Sequence, residues 1–273
     1  MHRMIRESIA LTSKEGYLDN LFQIYNIAQM SERDISRQMI ADITQAYASQ
    51  DPISLVKLLL KLEKFPVDDI YIGILRKSEE VIKNNPETVK RIGNRLLSMA
   101  IEDLLKRCKQ PMVDNRRMGE LFHKWFTNLP YPKVSEETFL NINEFTDVQG
   151  NTHRIMLLDG SRKDYKEFAN RNLGCGLDKE LDVLIKVNGT FIIGEAKYFS
   201  DFGGHQMGQF KDAIDEFLFS TQGSATRIAI LDGVVWLSTN NEMNRKIRNL
   251  ENIAMSALLF PKFLQDIQGT TDS

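Results

Sequence analysis

The sequence predicts an α/β protein: a mixed β-sheet core flanked by helices over residues 111–273, preceded by an all-α domain over residues 1–110. Three observations carry this. Apolar residues recur at helical spacing through the first 110 or so positions. The dipeptide Asn188-Gly189 separates two apolar, β-branched runs, which is the strongest short-range hairpin signal. A helical stretch and further apolar runs of strand length follow the hairpin.

Taken in order, Leu18, Leu21, Phe22, Tyr25 and Ile27 recur near helical spacing. Ile53–Leu62 is apolar with interspersed lysines. Val89–Leu105 continues the pattern through Ile92, Leu96, Leu97, Ile101, Leu104 and Leu105, and Pro52, Pro66 and Pro86 punctuate these helices. The character changes near Gln110-Pro111. Arg116–Leu129 reads as an amphipathic helix with Leu121, Phe122, Trp125 and Phe126 on its buried stripe. Thr138–Phe145 reads as a strand, and Lys163–Asn172 as a short helix in a connection. Asp182–Val187 and Thr190–Lys197 are the hairpin strands. His205–Phe219 is helical, Arg227–Leu237 is a buried strand with a turn at Asp232-Gly233, and Ile253–Leu259 is a last strand. The tail beyond Gln268 is expected to fray.

Composition narrows the function classes. A chain of 273 residues that is 42% hydrophobic and 26% charged can bury a core without staples. Its two cysteines, Cys108 and Cys175, make no disulfide framework, and no Cys/His cluster has zinc spacing. With neither a signal-peptide run nor an apolar stretch of about 18 residues, the expectation is a cytoplasmic protein away from membranes. The net charge of −2 argues against indiscriminate coating of nucleic acid. Local distribution differs: Lys83–Lys124 carries ten Lys/Arg against five Asp/Glu.

The hairpin carries the chemistry. If Asn188-Gly189 forms a two-residue type I′ loop, Val187 pairs with Thr190, and stepping outward places Asp182 opposite Glu195. Lys197 follows one pleat further on the same face. By this counting Asp182 and Glu195 form a non-hydrogen-bonded pair, with Cα atoms about 4.5 Å apart. Two facing carboxylates in an apolar strand repel. Lys197 offsets part of that charge and a divalent cation the rest. Oxygen ligands without a nearby His or Cys favour Mg²⁺, which serves phosphate chemistry. Gly194, just before Glu195, suggests close approach of another chain or a ligand.

Leu181-Asp182, a hairpin, and then Gly194-Glu195-Ala196-Lys197 together resemble the PD-(D/E)XK nuclease superfamily, and within it a type II restriction endonuclease. The resemblance spans roughly Arg116 to Leu259. It implies a restriction-endonuclease-like core in which Asp182 and Glu195 hold the metal, Lys197 is the catalytic lysine and the Ala196 carbonyl faces the metal. The superfamily's proline before the aspartate is replaced by Leu181. Glu120 stands where some members carry an accessory acidic residue.

Around this centre, His205, Gln206, Gln209 and Lys211 follow the Gly203-Gly204 loop, where a helix N-terminus suits a phosphate and Gln or Lys suits base edges. Arg162, Lys163 and Arg171 precede the hairpin in a plausible DNA-facing connection. His123 reads as a core residue. The expected function is Mg²⁺-dependent hydrolysis of double-stranded DNA at a short, palindromic site by a homodimer or higher homo-oligomer, whose symmetry matches the target. The helical domain would dimerise, contact DNA, or both. The alternatives are a repair or junction-resolving nuclease of the same superfamily, and an inactive DNA-binding protein.

Overall fold

The computed structural model describes residues 1–29, 32–110, 115–237 and 240–269. The chain divides into two compact units: Met1–Ile27 with Val113–Ser273, and Ala28–Met112. This differs from an expected helical domain over residues 1–110, because the first two helices belong to the unit that contains the sheet. The expected change at Gln110-Pro111 falls partly outside the described residues, as does most of the tail after Gln268.

Among the described residues of the larger unit the strands are β1 (Lys133–Val134), β2 (Phe145–Thr146), β3 (Thr152–His153), β4 (Ile155–Leu158), β5 (Val183–Val187), β6 (Thr190–Phe199), β7 (Thr226–Gly233) and β8 (Ala254–Met255). Six form one mixed sheet in the order β1-β4-β5-β6-β7-β8, while β2 and β3 make a separate ribbon. β4–β5 and β5–β6 are antiparallel; β1–β4, β6–β7 and β7–β8 are parallel. Every residue of β4 and β5 is buried. That is why these strands read as continuous apolar runs rather than alternating ones: helices cover both faces.

The helix Arg3–Thr12 seals the β8 end, where Ser8 Oγ accepts from the Ser256 N–H at 2.9 Å. Tyr25, at the end of the helix Tyr17–Ile24, donates to Asp232 Oδ2 at 2.8 Å. Helical periodicity announces that these first helices bury a face, but not what they bury it against.

Asp232 is fully buried at the end of β7 and also accepts from Ser256 Oγ at 2.5 Å and the Ala257 N–H at 3.2 Å. Burial pushes its carboxyl up to about 7, against these hydrogen bonds, which pull it down. The native state therefore binds a proton that the unfolded chain releases near pH 4. The associated stability is fully present below the unfolded value and is lost as pH rises through about 7. Between pH 5 and pH 8 wild type is expected to lose roughly 2–3 kcal/mol relative to Asp232→Asn. Urea titrations of both proteins at the two pH values measure this, and a pH-independent difference would refute it.

Four elements differ from expectation. Thr138–Phe145 is not a strand: Ser135 caps the helix Glu136–Asn141, accepting from the Thr138 N–H, and two glutamates occupy the first turn. The other end of that helix is held by Lys186 on β5. This buried ammonium donates to the carbonyls of Phe139, Leu140 and Ile142 at 3.0, 3.1 and 2.8 Å. β7 stops at Gly233, whose φ of +88° turns the chain into a 3₁₀ turn over Val234–Trp236. β8 is only two residues long before a second 3₁₀ turn. Finally, the helical stretch after β6 is α over Gly204–Lys211 and π over Asp212–Leu218.

The smaller unit is all-α among its described residues. Its helices are Arg37–Ala48, Pro52–Leu60, Ile72–Leu75, Glu79–Asn84, Pro86–Leu97 and Ile101–Lys109. Ser36, Asp51 and Ser78 cap three of them with side-chain oxygens. The pattern over Val89–Leu105 is thus two helices, broken at Ser98–Ala100. Its core is its own: Ile43, Leu55, Val56, Leu59, Ile92, Leu96 and Leu104 are fully buried. A Cβ on Gly93 would lie 2.4 Å from the Pro52 carbonyl oxygen, so glycine lets those two helices meet backbone to backbone.

Candidate active site

The β5–β6 hairpin has the expected register. Asn188 and Gly189 carry φ values of +48° and +81°, the two left-handed positions of a type I′ turn. The ladder runs from Val187↔Thr190 to Val183↔Gly194. Asp182 and Glu195 are the next residues outward, and both line one cleft together with Lys197.

Each charge has a distinct setting. Asp182 is only 7% exposed, and its Oδ2 accepts from the Ala196 N–H at 2.9 Å. Its Oδ1 faces Arg162 Nη1 at 3.5 Å. Burial raises the Asp182 carboxyl above the usual range. Lys197 and the Ala196 N–H work against that, Glu195 adds to it, and Arg162 opposes it. Lys197 Nζ lies 2.5 Å from Glu195 Oε1. Arg162 thus sets a cation beside Asp182 and Lys197 one beside Glu195.

Glycine at position 194 has an internal reason. A Cβ there would sit 2.9 Å from Ile228 Cγ1 and 3.0 Å from Val183 Cβ. The close approach comes from the neighbouring strands of the sheet, one residue before Glu195.

The remaining candidates separate. Arg162 and Gln209 line the cleft, as do three residues with no assigned role in the motif: Gly119, Lys179 and Asp212. Lys179 pairs with Asp212 at 3.0 Å, and Asp212 opens the π-helix. Lys179 lies three residues before Asp182 in an acidic-basic run, which is a local signal for it; Asp212 carries none. Gln209 Nε2 is 3.2 Å from His205 Nε2. Gln206 turns inward instead, donating to Ser200 Oγ at 2.8 Å and accepting from the Asp201 N–H, so its amide closes its own loop. Lys211 reaches Glu242 at 3.6 Å and Lys163 reaches Glu167 at 3.7 Å, while Arg171 pairs with Glu136. Glu120 pairs with Arg117 at 2.9 Å, and its neighbour Gly119 is the residue on the cleft wall.

His123 packs edge-on against Tyr165 with ring centroids 5.8 Å apart. Burial, then the Arg162 charge, lowers its pKa, so the imidazole is neutral at neutral pH.

A cation would meet an oxygen-only donor set here. Among the described residues no group of three or more His, Cys, Asp or Glu side chains is placed to hold a metal. Two carboxylates with water completing the shell suit Mg²⁺, which retains several waters, better than zinc. Among those residues no helix is long and apolar enough to cross a membrane.

A six-stranded mixed sheet with helices on both faces and a charged hairpin at its centre defines the restriction-endonuclease-like fold class. The model of the Tsp45I type II restriction enzyme family matches residues 2–267, a range that runs through both units. The chain belongs to this family: it is a DNA-binding, site-specific endodeoxyribonuclease of a restriction system. Searches among curated proteins and among solved structures returned no match.

Proposed function

We propose that the chain is a Mg²⁺-dependent type II enzyme of the PD-(D/E)XK superfamily that cuts double-stranded DNA at a short palindromic sequence as a homodimer. The observation that carries this is the hairpin register, which brings Asp182, Glu195 and Lys197 to one cleft around a buried, cation-seeking carboxylate. Asp182 and Glu195 are the residues to hold the ion, with the Ala196 carbonyl beside them. When bound, Mg²⁺ supplies charge neutralisation at the phosphodiester and acidifies the attacking water. The Lys197 ammonium would position that water by donating to it, while Arg162 and Lys179 offer positive charge to the phosphates. In a homodimer one cleft would serve each strand, and twofold symmetry would match a palindrome. The helical unit is assigned to dimer contacts, to DNA contacts, or to both.

Digestion of a mixed-sequence plasmid with Mg²⁺ and with EDTA tests this reading. Discrete fragments that need Mg²⁺ are the expected result. A smear would replace specificity with general cleavage. Intact DNA at every metal concentration would leave the inactive DNA-binding reading, and fragments in EDTA would remove the metal.

A further inference from the structure

We infer that Arg162 makes metal binding depend on DNA: its guanidinium holds the Asp182 oxygen that a metal needs, and leaves it for a DNA phosphate. This rests on the reading of Asp182 and Glu195 as the metal-holding pair.

Asp182 has two carboxylate oxygens with different partners. Oδ2 is committed to the Ala196 N–H at 2.9 Å. Oδ1 has no backbone donor and is the oxygen more open to a cation, and it is the one that Arg162 Nη1 faces, at 3.5 Å. Arg162 Nε is also 3.7 Å from Glu180 Oε2. Both distances exceed the 2.7–2.9 Å or so of a well-formed charge-assisted hydrogen bond. The guanidinium is thus held by charge rather than locked by geometry.

Its main chain is anchored. Ser161 caps the helix that Arg162 opens and its own N–H donates to the Asp164 carboxylate, while the Arg162 carbonyl accepts from the Leu181 N–H at 3.2 Å. The side chain therefore pivots from a fixed point beside Asp182, inside the same cleft as Lys197.

A guanidinium and a divalent cation at one carboxylate oxygen repel each other in a poorly screened site. Without DNA, Arg162 therefore weakens metal binding. A phosphodiester entering the cleft offers the guanidinium a bidentate partner, which removes that competition. Arg162 is a positioning residue in this account. It keeps the cleft from loading metal, and so from acquiring hydrolytic competence, before DNA is in place.

The test uses the full chain and Mn²⁺, with binding followed in the absence of DNA through loss of the free-ion paramagnetic resonance signal. Arg162→Gln is expected to bind Mn²⁺ on the order of tenfold more tightly than wild type, and Arg162→Lys to resemble wild type because the charge is kept. In plasmid cleavage, wild type should reach half-maximal rate at about tenfold less Mn²⁺ than its DNA-free affinity, a gap that closes in Arg162→Gln. Equal or weaker Mn²⁺ binding by Arg162→Gln overturns the inference, as does an unchanged gap. If Asp182→Asn binds Mn²⁺ as wild type does, the metal-holding pair itself is misassigned, a failure distinct from that of Arg162.

Discussion

Replacing Lys197 by alanine is expected to slow DNA cleavage by roughly 10²–10³-fold, the range for losing one preorganised charged donor at the reacting atoms. The structure explains why so much should rest on one side chain. Lys197 Nζ is 2.5 Å from Glu195 Oε1, and its charge is also the largest influence opposing the burial of Asp182. The ammonium therefore offsets the charge of the carboxylate pair, and on the proposed function it would also orient the reacting water. Asp182→Asn should be at least as damaging, because it keeps an oxygen for the Ala196 N–H while removing the buried negative charge. Single-turnover cleavage of plasmid at saturating Mg²⁺ measures both effects, with thermal melting to show that the fold persists. Cleavage by Lys197→Ala within tenfold of wild type would remove the lysine from the chemistry. A loss confined to KM would reassign it to DNA binding.

The largest stability effect is expected at Gly233, away from the cleft. Its φ of +88° with ψ of −141° belongs to a backbone region open essentially to glycine alone. A Cβ there would lie 2.0 Å from the Phe199 carbonyl oxygen and 2.9 Å from the Phe199 carbonyl carbon, both main-chain atoms that cannot step aside. Tyr17 also donates to the Gly233 carbonyl and accepts from its N–H, at 3.5 and 3.2 Å, so the first helices are tied to this turn. Gly233→Ala should destabilise the larger unit by about 4 kcal/mol or more. Gly150→Ala is the natural comparison. Its φ is +87°, yet a Cβ there meets nothing within 4 Å, so only conformational strain remains, about 1–2 kcal/mol. Urea unfolding of the two variants separates steric exclusion from strain. Similar losses in both would show that the turn yields at Phe199.

What the two glycines illustrate holds along the chain: short-range signals are legible where the determinant is local. Asn188-Gly189 dictated a type I′ turn through its tolerance of positive φ, and a two-residue loop left one register, so the juxtaposition of Asp182, Glu195 and Lys197 followed from counting. The capped helix at Ser135 is equally local: a serine followed by two glutamates is a helix start, although residues 138–145 are also compatible with a strand.

Other features depended on partners remote in sequence. Lys186 looks like an ordinary strand lysine until the three carbonyls ending the helix Glu136–Asn141 arrive at its ammonium. Asp232 reads as half of a turn, but Tyr25 and Ser256 make it a buried hydrogen-bonded carboxyl. The helices of Met1–Ile27 have an amphipathic pattern that any apolar surface would satisfy, and only packing assigns them to the sheet. Arg162 was visible as a basic residue in a connection; that it meets the Asp182 oxygen left by Ala196 is a three-body fact of the folded chain.

By itself, then, the sequence determined the hairpin, its three charged residues and the class of core around them, because turn chemistry and pleat alternation act within a few residues. Tertiary structure alone decided which helices join the sheet, that Gly194 is required by Ile228 and Val183, and which cations steady the carboxylate pair. Those outcomes depend on distances between segments far apart along the chain, which no local pattern encodes.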